Sequence, residues 1–252
     1  MTPGVVVVNN NLIKPIVDAT RELDPLDDDH PLQTTAFLGC CRLFLPVLDA
    51  LGVAFKPAKA DVGGNVERLS KKEKEFENVR ACGAARVFSG SRRGRRGSAR
   101  LLCFARVRTD PLPSLSLSLS VAQLFDILLD EKKSNSFAAN TSCSKGLLWL
   151  KRFLEFVVVL VSKLAENQRT ETKEAASYAY AEKLKPFHGW VSSSAFSVVL
   201  QFPPARKGFV ESLGGEKVLE TDGKELVEKF GPVLKHIDEF LTKEDLNDPS
   251  KV

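Results

Sequence analysis

The sequence predicts an all-α protein, and three observations carry that expectation. Apolar residues recur at three- and four-residue steps through most of the chain, strand-like alternation is scarce outside residues 79–120, and no repeat of fixed period is visible. With 252 residues, 43% hydrophobic and 27% charged, the chain can fill one substantial core, so one domain is the default.

Residues 1–30 are polar and proline-interrupted, carry Asp27-Asp-Asp29, and read as a loose lead-in holding a short helix near residues 12–23. The domain proper is expected over residues 31–252. From residue 34 to residue 51, Phe37, Cys41, Phe44, Leu48 and Leu51 share one helical face, and Gly52 is a stop signal. A second helix opens near Pro57 and runs to about Asn78. Its Gly63-Gly64 pair costs about 1 kcal/mol per glycine relative to alanine and suggests that another helix or a ligand approaches closely there.

Residues 79–120 hold Ser91-Arg-Arg-Gly-Arg-Arg-Gly97 and Ser114-Leu-Ser-Leu-Ser-Leu-Ser120, with no helical periodicity and no core face. They read as a disordered insertion that interrupts the domain. Helical patterning returns over residues 121–132, then at 144–166, 172–187, 189–201 and 206–213. The last long helix has Leu226, Phe230, Leu234, Ile237 and Leu241 on one stripe, with Pro232 as a bend.

The formal charge of +4 is misleading. The 79–120 segment has nine arginines, no lysine and one acid, Asp110, a local balance of +8, so the rest of the chain stands at 4 − 8 = −4. A mildly acidic body gives no reason to expect nucleic-acid binding by the folded part. The apolar run 146–164 approaches membrane-spanning length, but Lys151, Arg152 and Glu155 interrupt it, so it reads as a buried central helix. Residues 1–10 have no basic region followed by a long apolar stretch, and five cysteines form no CxxC pair. Both features point to a reduced, cytosolic address. There is no nucleophile elbow, HExxH, P-loop or dinucleotide fingerprint, so no enzymatic activity, metal or cofactor is expected.

Three stretches carry the chemistry. Asp61, Asn65 and Arg68 stand at i, i+4 and i+7, offering an acceptor, an amide and a cation on one helical face. An ordinary solvated face is the plain alternative. Trp149 offers a flat ring for the C–H face of a sugar, with core filling as its alternative. His188 follows Tyr180 and Leu184 at four-residue steps, which puts it on the inward stripe at a helix end, as an amide ligand or as a satisfied core histidine. Phe55, Phe156, Leu184 and Phe196 are candidates for a wall around lipid chains, or for plain core.

In this order, Asp61/Asn65/Arg68, Trp149-Leu-Lys-Arg-Phe153 with Phe156, and Pro186-Phe-His-Gly-Trp190 resemble the glycolipid transfer protein family. The resemblance implies a two-layer helical sandwich that carries one glycosphingolipid, for example glucosylceramide, through the cytosol. It implies that the aspartate and asparagine bind the first sugar, that the aspartate also takes the ceramide amide N–H, and that Trp149 stacks on the sugar. It further implies that His188 binds the amide carbonyl, that Phe156 lines the chain cavity and that Trp190 docks on membranes. Most relatives have lysine at Arg68, which keeps charge but changes reach. Carriers of ceramide-1-phosphate place lysine at Asn65 and arginines at Trp149 and Phe153, so the headgroup expected here is a sugar. The implied partners are the glycolipid and a transient membrane surface, with a monomeric protein and no nucleic acid. A glycolipid sensor is the related alternative, and an RNA-binding protein using the arginine-rich segment is the more distant one.

Overall fold

The computed structural model describes residues 11–23, 32–89 and 123–251. Ten α-helices cover them: α1 (Ile13–Arg21), α2 (Thr34–Leu43), α3 (Leu45–Ala50), α4 (Lys56–Ser89), α5 (Leu124–Lys133), α6 (Cys143–Glu166), α7 (Thr172–Lys183), α8 (Trp190–Val199), α9 (Arg206–Leu213) and α10 (Glu216–Lys243). Two 3-10 turns, Val53–Phe55 and Lys185–Phe187, join α3 to α4 and follow α7. Among the described residues there is no strand, only an isolated antiparallel bridge between Gln33 and Gln123. Beside it, Leu124 N–H donates to Leu32 O at 3.1 Å, so the starts of α2 and α5 lie together.

α6 occupies the centre, packed by α4, α5, α7 and α10. It is apolar nearly all round, and Leu147, Leu150, Leu154, Phe156, Leu160 and Leu164 are fully buried. Each such side chain contributes roughly 1.5–3 kcal/mol by leaving water. The polar residues within it have partners: Lys151 pairs with Asp238 on α10 and with Glu155 at 3.3 Å. Its first turn is satisfied twice. Ser142 Oγ accepts from Lys145 N–H at 3.1 Å, and the buried Glu131 carboxylate of α5 accepts from the N–H groups of Cys143 and Ser144 at 2.7 and 2.8 Å. A carboxylate at a helix N-terminus meets both its orphan donors and the positive end of its dipole. No helix among the described residues is long and apolar enough to cross a membrane.

Several sequence expectations are corrected. Within the lead-in, the short helix expected near residues 12–23 is present as α1 and belongs to the core, because Ile13, Ile16 and Val17 are buried and α1 packs on α10 and α2; residues 1–10 and 24–30 lie outside the described residues. The helix expected over residues 34–51 breaks at Phe44. Pro46 has no N–H for the carbonyl of Arg42, and its ring crowds that turn. α4 continues to Ser89, eleven residues past the point where apolar periodicity fades; the remainder of the expected insertion, residues 90–120, lies outside the described residues. α7 ends at Lys183 rather than at 187, since Pro186 disfavours helix at the residue before it. α10, by contrast, runs unbroken through Pro232, and its five-residue stripe is buried as expected. Between α9 and α10, Gly214 and Gly215 take φ of 120° and 94°. A Cβ on Gly214 would sit 2.8 Å from Val218 Cγ1, so the turn requires glycine.

Candidate functional site

Two clefts open beside α6. The first, about 560 Å³, is polar in its chemistry: Asp61 of α4, Trp149 and Arg152 of α6, His188 of the connector, and Asp248 and Lys251 of the C-terminal segment line it. The second, about 290 Å³, is apolar, walled by Pro57, Phe153, Leu184, Phe196 and Val199. Asp61, Trp149 and His188 line both, so the polar and apolar spaces share one border.

Asp61 faces the open side of the cleft, yet its protein walls withdraw enough water to raise its pKa above the usual carboxylate value. The charge of Arg68 and a hydrogen bond from Asn65 oppose that rise. Asn65 is buried, and its Nδ2 donates to Asp61 Oδ2 at 3.3 Å. Arg68 is turned toward α6, donating from Nη1 to the carbonyls of Asn140 and Ser142 at 3.3 and 3.2 Å. The i, i+4, i+7 face therefore exists, but Asp61 is its only member that lines the clefts; Asn65 and Arg68 stand behind it.

The close helix approach expected at Gly63-Gly64 occurs instead on α6. A Cβ on either of those glycines would meet nothing within 4 Å, whereas one on Gly146 would stand 3.3 Å from Arg68 Nη1 and 3.4 Å from Asn65 Oδ1. Gly146 lets α4 bring its polar face against the helix that carries Trp149.

Trp149 is half-buried, with its ring 5.9 Å from that of His188. His188 is not on a helix: it follows the 3-10 turn with φ −91° and ψ 130°, in extended backbone. Its Nδ1 lies 3.3 Å from Tyr180 Oη, and desolvation lowers its pKa, which favours the neutral ring. When Tyr180 donates to Nδ1, Nε2–H is left as a donor.

Of the expected chain wall, Leu184 and Phe196 line the apolar cleft, while Phe55 and Phe156 are fully buried behind it, each edge-on to Phe196 at 6.0 Å. Trp190 is 82% exposed, and Val53, Val191, Val198 and Phe202 are exposed apolar residues as well. Among the described residues no group of three or more His, Cys, Asp or Glu side chains is placed to hold a metal ion.

The sequence reading missed the C-terminal wall. Leu246 N–H donates to Leu241 O at 2.8 Å and its side chain is buried, which folds the segment back from the end of α10. Asp248 then pairs with Lys145, and that ammonium chiefly holds its carboxyl down to about 2. The Trp-Leu-Lys-Arg motif drew attention to Trp149, but periodicity carries no signal for a tail returning to α6.

The family model for glycolipid transfer proteins matches residues 32–87 and 106–215, well over half the chain. The chain belongs to the glycolipid transfer protein family. The match leaves residues 88–105 unmatched, a narrower gap than the 79–120 read as an insertion. Similar members include glycolipid transfer protein 1 of Arabidopsis thaliana, 28% identical over 221 residues, covering 88% of this chain and 89% of that protein. Among solved structures, FAPP2, which selects simple glycosphingolipids using this fold, superposes with a TM-score of 0.70 at 21% identity, covering 96% of this chain and 99% of that one. The human ceramide-1-phosphate transfer protein with bound 2:0 ceramide-1-phosphate gives a TM-score of 0.65 at 17% identity, over 95% and 99% of the two chains. The all-α architecture expected from periodicity is thus the glycolipid transfer protein fold.

Proposed function

We propose that this member of the family is a non-enzymatic carrier that takes one glycosphingolipid with a small headgroup, such as glucosylceramide, between membranes. The observation that supports this most directly is the shared border of the two clefts, because a ceramide has its amide where a polar headgroup meets apolar chains. In this reading Asp61 accepts from the sugar and from the amide N–H, with Asn65 and Arg68 fixing its place, and Trp149 covers the sugar face. Neutral His188 donates to the amide carbonyl.

The chains enter beside Phe153, Leu184 and Phe196, with Phe55 and Phe156 behind. A space of about 290 Å³ is at the small end for ligand sites, so α8 yields as they enter. Because each methylene transferred to water costs about 0.8 kcal/mol, an apolar enclosure is what makes exchange between bilayers feasible, and selectivity then rests on the headgroup. Trp190 with Val191 and Val198 on α8 forms the docking surface, in keeping with the preference of indole for the membrane interface. The protein works as a cytosolic monomer.

Asn65, Trp149 and Phe153 are neutral at the positions where ceramide-1-phosphate carriers have cations, which favours sugar. One observation favours a second reading, an anionic headgroup: Lys145, Arg152 and Lys251 all reach the polar cleft. Transfer of labelled lipids between vesicles separates the two. Glucosylceramide should move, and folded Asp61→Val and Trp149→Ala variants should lose that transfer. Transfer of ceramide-1-phosphate without glucosylceramide would overturn the sugar assignment, and tight binding with negligible transfer would indicate a sensor.

A further inference from the structure

Arg152 is among the most buried large side chains of the molecule, 1% exposed, and burial brings its pKa down to about 10. Its guanidinium carbon stands 3.5 Å from the centroid of the Phe187 ring and 5.0 Å from that of Trp149. Nη2 donates to Asp248 O at 2.6 Å and to Asn247 Oδ1 at 3.4 Å. One side chain therefore touches three separate pieces of the polar cleft: the indole on its own helix, the turn that leads into His188, and the returning C-terminal segment.

A buried arginine that only ties helices together looks different here. Arg206 is also buried, but it donates to Glu216 at 2.8 Å and to the carbonyls of Leu164 and Thr170 at 3.0 and 2.9 Å; it lines neither cleft, and among the described residues no aromatic ring lies over it. Arg152 lines the polar cleft and has its guanidinium over the Phe187 ring, with the Trp149 ring also within cation–π reach, a placement in which a planar guanidinium and a lysine ammonium are not interchangeable.

We propose that Arg152 is a positioning residue for the headgroup site, holding the Trp149 ring, the Phe187–His188 connector and the Asp248 segment in one arrangement through its flat guanidinium. The ligand part of this inference rests on the sugar reading above, so its test includes a measurement that needs no ligand. The chain has two tryptophans, and in a Trp190→Phe background Trp149 is the sole indole reporter.

In that background, Arg152→Lys should shift ligand-free Trp149 emission to longer wavelength and lower its anisotropy. Binding of short-chain glucosylceramide should weaken about tenfold, while binding of ceramide with the same chains stays unchanged. Phe187→Leu, which keeps the guanidinium and removes one stacking partner, should give a smaller change in the same direction, and it decides the matter should the lysine variant fail to fold. Unaltered ligand-free emission and anisotropy in the folded variants would overturn the proposal, as would an equal loss for both lipids, the sign of a merely structural arginine. If the parent shows no preference for glucosylceramide over ceramide, the sugar reading fails, and the ligand-free emission still decides the role of Arg152.

Discussion

α6 and α8 both border the apolar cleft, and they are built in opposite ways. α6 is buried on nearly every side, its first turn is capped by Ser142 and by the Glu131 carboxylate, and its charged residues have fixed partners. α8 has no fully buried residue and no side-chain cap, and it exposes Trp190, Val191 and Val198. The contrast assigns different mechanical duties. An element with dense buried contacts opens only with the whole fold, whereas one with few buried contacts belongs to the low-stability end of the molecule. The α6 side of the apolar cleft is thus the firm one, and the α8 side is the one able to give way.

The largest effect expected from this difference is on stability. Leu150→Ala in α6 should cost roughly 2–5 kcal/mol in denaturant unfolding, since a fully buried leucine leaves a cavity; a loss comparable to that of an α8 substitution would break the comparison. Next comes the cap of α6. Glu131→Gln replaces an acceptor-only group, facing two N–H donors and the Ser144 hydroxyl, with one that presents its own N–H₂. The expected loss is about 1.5–3 kcal/mol by the same measurement. The smallest effect belongs to α8. Val198→Ser on its exposed face should change stability by less than about 0.5 kcal/mol, while protein binding to vesicles, followed by sedimentation, weakens.

Periodicity recovered what depends on local sequence. The bounds of α9 and the extent of α6 agree with it, as does the buried stripe of α10, because amphipathic and apolar patterns there coincide with propensity. It failed where a single proline outweighed the pattern, at Pro46 and Pro186, and where apolar spacing faded while helix continued, past Asn78 in α4. His188 shows how a right neighbourhood can follow from a wrong premise: the four-residue step from Tyr180 implied a helix that is not there, yet Tyr180 does meet its ring. Asp61 and Trp149, which line both clefts, could be singled out because their side-chain chemistry is visible wherever they stand. The turn of Arg68 toward the start of α6, the close approach at Gly146 and the contact of the C-terminal segment with Arg152 could not be, since each joins residues 70 to 100 positions apart that one sequence does not encode locally.

The folding back of the segment after α10 bears on how the protein is handled at the bench. Lys251 is itself part of the cleft wall, so a tag or fluorescent group attached at Lys251 would stand at that wall, where in the proposed function it competes with the lipid for space. Binding constants measured on such a derivative would report the attachment as much as the lipid. A label placed on the exposed side of α10, for example at Lys235, keeps that wall clear.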